Sequence, residues 1–98
     1  MGKVIFTISY DVQPGKREEY LALSQEMKRH FLASNHKEYA IYEQKGKKNS
    51  FSEVFVFSSL EEYDQLEDES ETMTALVSRL ESLLTDGKMK YNTLIELD

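Results

Sequence analysis

Few side chains in this sequence are equipped for chemistry, and most of those lie within strand-like runs. Glu53 sits in Phe51-Ser52-Glu53-Val54-Phe55-Val56-Phe57, a carboxyl among aromatic and branched neighbours. Turned into an apolar interior, it would keep its proton above the usual carboxylate range and act as a base. At the opening of a strand it also reads as an ordinary exposed glutamate. Thr7 and Ser9 are the polar groups inside the first strand-like run, so they are the expected polar wall of any pocket. Tyr10, Tyr42 and Tyr91 offer phenol hydroxyls to a ligand, or act as core tyrosines whose hydroxyls reach the rim. With Phe55 and Phe57 as aromatic walls, the candidate ligand-binding set is Thr7, Ser9, Tyr42, Glu53, Phe55 and Phe57. No catalytic residue is assigned.

Other chemistries lack their parts. The chain has no cysteine, which removes disulfides, thiolate metal sites and a cysteine nucleophile together. Of its two histidines, His36 falls in the turn cluster Ser34-Asn35-His36 and reads as a solvated loop residue. His30 falls near the end of a helix, where an imidazolium interacts favourably with the helix dipole. Seven carboxylates crowd Glu61 to Glu71: Glu61, Glu62, Asp64, Glu67, Asp68, Glu69 and Glu71. The calcium-loop spacing is absent, and acidic residues at two successive helix starts have a dipole reason to be there. No metal and no cofactor is expected. No Ser-His-Asp set, glycine-rich phosphate loop or metal triad can be assembled.

The elements that must position these groups follow from periodicity. Val4 to Val12 alternates as a strand, with Val4, Phe6, Ile8, Tyr10 and Val12 on one face and Ile5, Thr7 and Ser9 on the other. Pro14-Gly15 breaks it and opens a helix over 16–34, whose buried stripe is Tyr20, Leu23, Met27 and Phe31. Leu21 and Leu32 form a second, smaller apolar edge. Strands follow at 39–44 and 51–57, joined by a polar hairpin loop holding Lys45, Lys47 and Lys48. Ser59-Leu60-Glu61-Glu62 is a capping box with Ser59 as N-cap. It starts a short helix with Leu60, Tyr63 and Leu66 inward. A longer helix over 71–86 carries Met73, Leu76, Val77, Leu80, Leu83 and Leu84 on one stripe, with Gly87 as its C′ residue. Residues 89–97 form the last strand.

The order β-α-β-β-α-α-β in 98 residues predicts a single α+β domain of ferredoxin-like plan, spanning 1–98, with a four-stranded antiparallel sheet and helices on one face. The other face holds Ile5, Thr7 and Ser9 with either Phe55 and Phe57 or Val54 and Val56. With either pair it is too apolar to stay bare.

With these elements in place, the chain resembles the dimeric α/β-barrel superfamily that includes antibiotic-biosynthesis-monooxygenase-like proteins. The strand end Val12-Gln13-Pro14-Gly15-Lys16 leading into an amphipathic helix is similar to their opening. The stretch from Phe51 to Tyr63, and the division of the final helical region into a short and a long helix, are similar too. The resemblance implies a homodimer joined through the open sheet face, a ligand cavity, and cofactor-independent oxygenation of aromatic substrates or, in one branch, haem degradation. Those activities lean on Asn, Trp and His. This chain has no Trp, no Asn in its first strand, and Leu66 then Ala75-Leu76 where the haem-degrading branch places Trp and His. Haem degradation is therefore disfavoured.

Charge narrows the partners. Residues 1–50 carry a balance of +3 and residues 51–98 one of −9, for a net −6. Nucleic-acid binding needs a basic face, which this balance argues against. No apolar run approaches the ~20 residues a bilayer crossing needs, and a cytoplasmic location is the default. The expectation is a homodimer that binds a small, partly aromatic molecule, with a non-enzymatic sensing or assembly module as the alternative.

Overall fold

The computed structural model describes residues 2–33, 38–64 and 71–97. Strand β1 (Val4–Asp11) runs into a 3₁₀ turn at Pro14–Lys16 and helix α1 (Arg17–Ala33). Strands β2 (Glu38–Glu43) and β3 (Ser50–Phe57) form a hairpin. Helices α2 (Leu60–Asp64) and α3 (Glu71–Leu83) precede strand β4 (Lys90–Ile95). The sheet is antiparallel in the order β2-β3-β1-β4, which is the ferredoxin-like arrangement expected.

Alternation along each strand divides the sheet into two faces. Val4, Phe6, Ile8 and Tyr10 of β1 and Phe51, Glu53, Phe55 and Phe57 of β3 turn toward the helices, where Tyr20, Leu23, Met27 and Phe31 of α1 and Leu76, Leu80 and Leu83 of α3 meet them. The predicted stripes on α1 and α3 are the buried ones. Phe55 sits at the centre of an aromatic cluster, with ring centroids 4.9 Å from Phe31, 4.7 Å from Tyr39 and 5.8 Å from Phe6. The pair on the open face is therefore Val54 and Val56, both half-buried.

Three details correct the sequence reading. Leu60, expected inward, is 46% exposed, because α2 makes only one full turn and Tyr63 takes its inward position. Helix α3 ends at Leu83 rather than at residue 86, since the Thr85 N–H is drawn to the Asp11 carbonyl at 2.9 Å and Leu84 bridges to Val12. Gly87 thus uses its left-handed φ of 70° in the following turn, not as a helix cap. Leu66, Glu67, Asp68, Glu69 and His36 lie outside the described residues.

Ser59 does cap α2: its Oγ accepts the Glu62 N–H at 3.1 Å. The Glu62 carboxylate reaches back to the Ser58 N–H and hydroxyl. Arg17, at the start of α1, clamps the β2–β3 hairpin by donating to both Glu43 oxygens at 2.6 and 2.9 Å and to Asn49 Oδ1 at 2.9 Å. This guanidinium holds the Glu43 carboxyl down to about 2. No helix among the described residues is long and apolar enough to cross a membrane.

Candidate functional site

The six candidate residues divide between the two faces of the sheet. Glu53, Phe55 and Phe57 point under the helices, and Thr7, Ser9 and Tyr42 lie on the open face.

Glu53 is in the interior of β3, not at its exposed opening, and only 3% of it is accessible. Its cross-strand neighbours are Ile8 and Ile41, so its flanks are apolar. Its polar partners come from further along the same face. Tyr39 donates its hydroxyl to Glu53 Oε1 at 2.7 Å, and Tyr10 hydrogen-bonds the same carboxyl. Tyr10 in turn shares a 2.8 Å hydroxyl–hydroxyl bond with Tyr20 of α1. A protonated Glu53 completes a chain in which Tyr39, Glu53 and Tyr10 each donate once and Tyr20 accepts at its end. Burial pushes the Glu53 carboxyl above its ordinary range, against the pull of the Tyr39 and Tyr10 hydrogen bonds. Burial likewise raises the three phenols, and all of them stay neutral. Chemically, the cluster can hold a proton on a carboxyl above the ordinary carboxylate range.

On the open face the ladder register lines up rows of residues that cross all four strands. The first row is Glu38-Val56-Ile5-Leu94 and the second is Ala40-Val54-Thr7-Asn92. The third is Tyr42-Ser52-Ser9-Lys90. The face therefore grades from apolar to polar along the strands. The polar end opens into a cleft of about 300 Å³ lined by Ser9, Asp11, Ser50, Ser52, Lys47 and Lys90, among others. Ser9 and Ser52 share a hydrogen bond of 2.8 Å on its floor. Asp11 accepts from the Ser50 hydroxyl and lies 3.6 Å from the Lys47 ammonium. The Ser50 bond, aided by Lys47, holds the Asp11 carboxyl below its usual range.

Sequence reasoning found Ser9 and Tyr42 in this row but missed Ser52 and Lys90. Ser52 was readable as the polar residue two before Val54, on the same face. Lys90 depended on the β1–β4 register, for which the sequence carries no local signal. Among the described residues no group of His, Asp or Glu is arranged to hold a metal ion.

The geometry defines a ferredoxin-like α+β domain with one uncovered sheet face, and solved structures share it. No protein-family model matches the sequence, and no curated protein matches it either. A conserved protein from Methanosarcina mazei Go1 superposes with a TM-score of 0.82 at 16% identity, over 96% of this chain and 92% of that one. A candidate antibiotic biosynthesis monooxygenase from Caulobacter crescentus CB15 gives a TM-score of 0.78 at 13% identity, over 99% and 92%. A NIPSNAP family protein from Agrobacterium tumefaciens gives 0.72 at 19%, over 98% and 87%. At these identities the likeness is one of fold, and it is the fold of the antibiotic-biosynthesis-monooxygenase-like proteins that the sequence resembles.

Proposed function

We propose that the protein is a cytoplasmic homodimeric α/β-barrel protein that binds a small, partly aromatic molecule against the open face of its sheet. The observation that carries this reading is the grading of that face. Ile5, Val54 and Val56 are half-buried and Leu94 is 56% exposed, so an apolar patch is left uncovered by any helix of the chain. Patches of this kind mark contact surfaces. A second copy laid against it would bury the patch, and obligate interfaces of this sort cover roughly 2,000 Å² or more. The adjoining cleft of about 300 Å³ would then become a cavity closed by the partner, at the small end of the range for ligand sites. Thr7, Ser9 and Tyr42 would touch the ligand directly, while Glu53, Phe55 and Phe57 would support the sheet from behind. No reaction is assigned.

Native mass spectrometry of the protein purified from its own host tests both parts. A dimer with a retained small molecule is expected, and a stable monomer at all accessible concentrations would overturn the reading. A non-enzymatic assembly module is the second reading. It is favoured by the packing of Phe55 and Phe57, whose rings fill the space beneath the helices. A dimer that carries no ligand and takes up none would select it.

A further inference from the structure

The polar row on the open face has a composition that packing does not require. Tyr42, Ser52, Ser9 and Lys90 stand directly opposite one another across β2, β3, β1 and β4. Opposite positions on one face of a sheet bring side chains within about 5 Å, close enough for one small molecule to touch several of them.

Two features of the row point to an acceptor. First, the Ser9 and Ser52 hydroxyls carry two hydrogens between them, and their mutual 2.8 Å bond uses one. The other remains for an acceptor outside the pair. Second, the charge around the cleft does not cancel. Lys47, Lys88 and Lys90 face Asp11 and Asp86, a balance of +1 in a chain whose net charge is −6. Asp11 is engaged by the Ser50 hydroxyl and by Lys47 at 3.6 Å, and Asp86 Oδ1 accepts the Lys88 N–H at 2.9 Å. Lys90 makes no ion pair within 4 Å among the described residues, although its charge reaches Asp11 after the Ser50 bond and Lys47, and it is the lysine directly opposite Ser9. Beside the row, Thr7 and Val54 present a methyl-rich surface, and the Tyr42 ring, 59% exposed, stands at its far end.

We infer that this row recognises a small aromatic monocarboxylate, with the Lys90 ammonium and the serine hydroxyls holding the carboxylate and the ring lying toward Thr7 and Val54. The inference rests on the small-molecule-binding reading above and deepens it by naming the ligand class. A single surplus positive charge matches a monoanion better than a doubly charged phosphate. A carboxylate accepts from ammonium and hydroxyl donors at once, and charge-assisted bonds of this kind are about twice as strong as neutral ones.

The test is an NMR titration of the intact protein with benzoate, benzamide and phenyl phosphate at constant ionic strength. Benzoate should shift the amides of Ser9, Ser52 and Lys90 saturably and bind about tenfold more tightly than benzamide, since a hydrogen bond to a charged group is worth roughly that factor or more. Lys90→Met, at an exposed position that keeps most of the aliphatic stem, should remove the margin by weakening benzoate far more than benzamide. Ser9→Ala should reduce the margin by a smaller factor. If benzoate and benzamide bind equally to the wild type, or the margin survives Lys90→Met, the carboxylate assignment is wrong while small-molecule binding stands. Tighter binding of phenyl phosphate than of benzoate overturns the monoanion choice. If no probe shifts this row at millimolar concentration, the inference fails. The broader reading is then judged separately, by the retained ligand and by sedimentation.

Discussion

Replacing Glu53 by Gln should change stability little at low pH and increasingly as pH rises, because it removes one source of pH dependence. The carboxyl is 3% exposed and flanked by Ile8 and Ile41, and burial raises its folded-state pKa above the 4.5 of a free glutamate. Below that value folded and unfolded chains are both protonated, and the stabilisation from the neutral carboxyl is fully present. As pH climbs, the unfolded chain releases its proton while the folded one retains it. Stability then falls by about 1.4 kcal/mol per pH unit until the folded pKa is passed. Glutamine matches the neutral carboxyl in shape and still accepts from Tyr39, but it has no proton to lose. Asp11, Glu26 and Glu43 have lowered pKa values and contribute stability that is lost as pH falls, but both proteins share them. The difference between the two isolates Glu53. Urea unfolding of wild type and Glu53→Gln at a series of pH values rising from the free-glutamate range should show the wild type losing ground to the variant until the folded-state pKa is passed. Parallel stability curves would refute the reasoning, since the carboxyl would then be ionised in the fold.

Val54→Asp should give a folded monomer by sedimentation and circular dichroism, because Val54 lies on the uncovered face. A folded dimer would count against the proposed interface. Phe55→Ala should cost about 3–5 kcal/mol in denaturant titration, the range for a buried aromatic, because its ring touches Phe31, Tyr39 and Phe6. A loss under about 1 kcal/mol would mean the cluster can collapse around the gap. Ser59→Ala should cost about 1 kcal/mol through loss of the bond to the Glu62 N–H, and an unchanged unfolding midpoint would show that α2 does not depend on its cap.

The order of elements and the buried stripes were legible because they rest on local periodicity. Tyr20, Leu23, Met27 and Phe31 repeat at helical spacing, and Val4, Phe6, Ile8 and Tyr10 alternate as a half-covered strand must. The facing of β3 was not legible, since Phe55 and Val54 are both apolar and either could meet the helices. Tertiary fit decided it: the larger rings fill the deep side and the smaller valines form the flat one. Glu53 shares the parity of Phe55 and so went inside with it, and only the tyrosines arriving from β1, β2 and α1 make that tolerable. Leu60 failed for a different reason: a five-residue helix is too short for its periodicity to fix its rotation. Lys90 entered the row through strand pairing across the length of the chain.

That same pairing bears on how the protein is made. β1 is a central strand, held by β3 on one side and by β4 on the other, yet β4 leaves the ribosome long after β1 and β3 can pair. During that interval Val4-Ile5-Phe6-Thr7-Ile8 offers an unpaired backbone edge and a β-rich sequence to any neighbouring nascent chain. The docking of β4 along β1, fastened where the Glu96 N–H meets the Lys3 carbonyl at 2.8 Å, closes that edge. Slower translation between α3 and β4 would lengthen the exposure and raise the yield of aggregates without changing one residue of the finished protein.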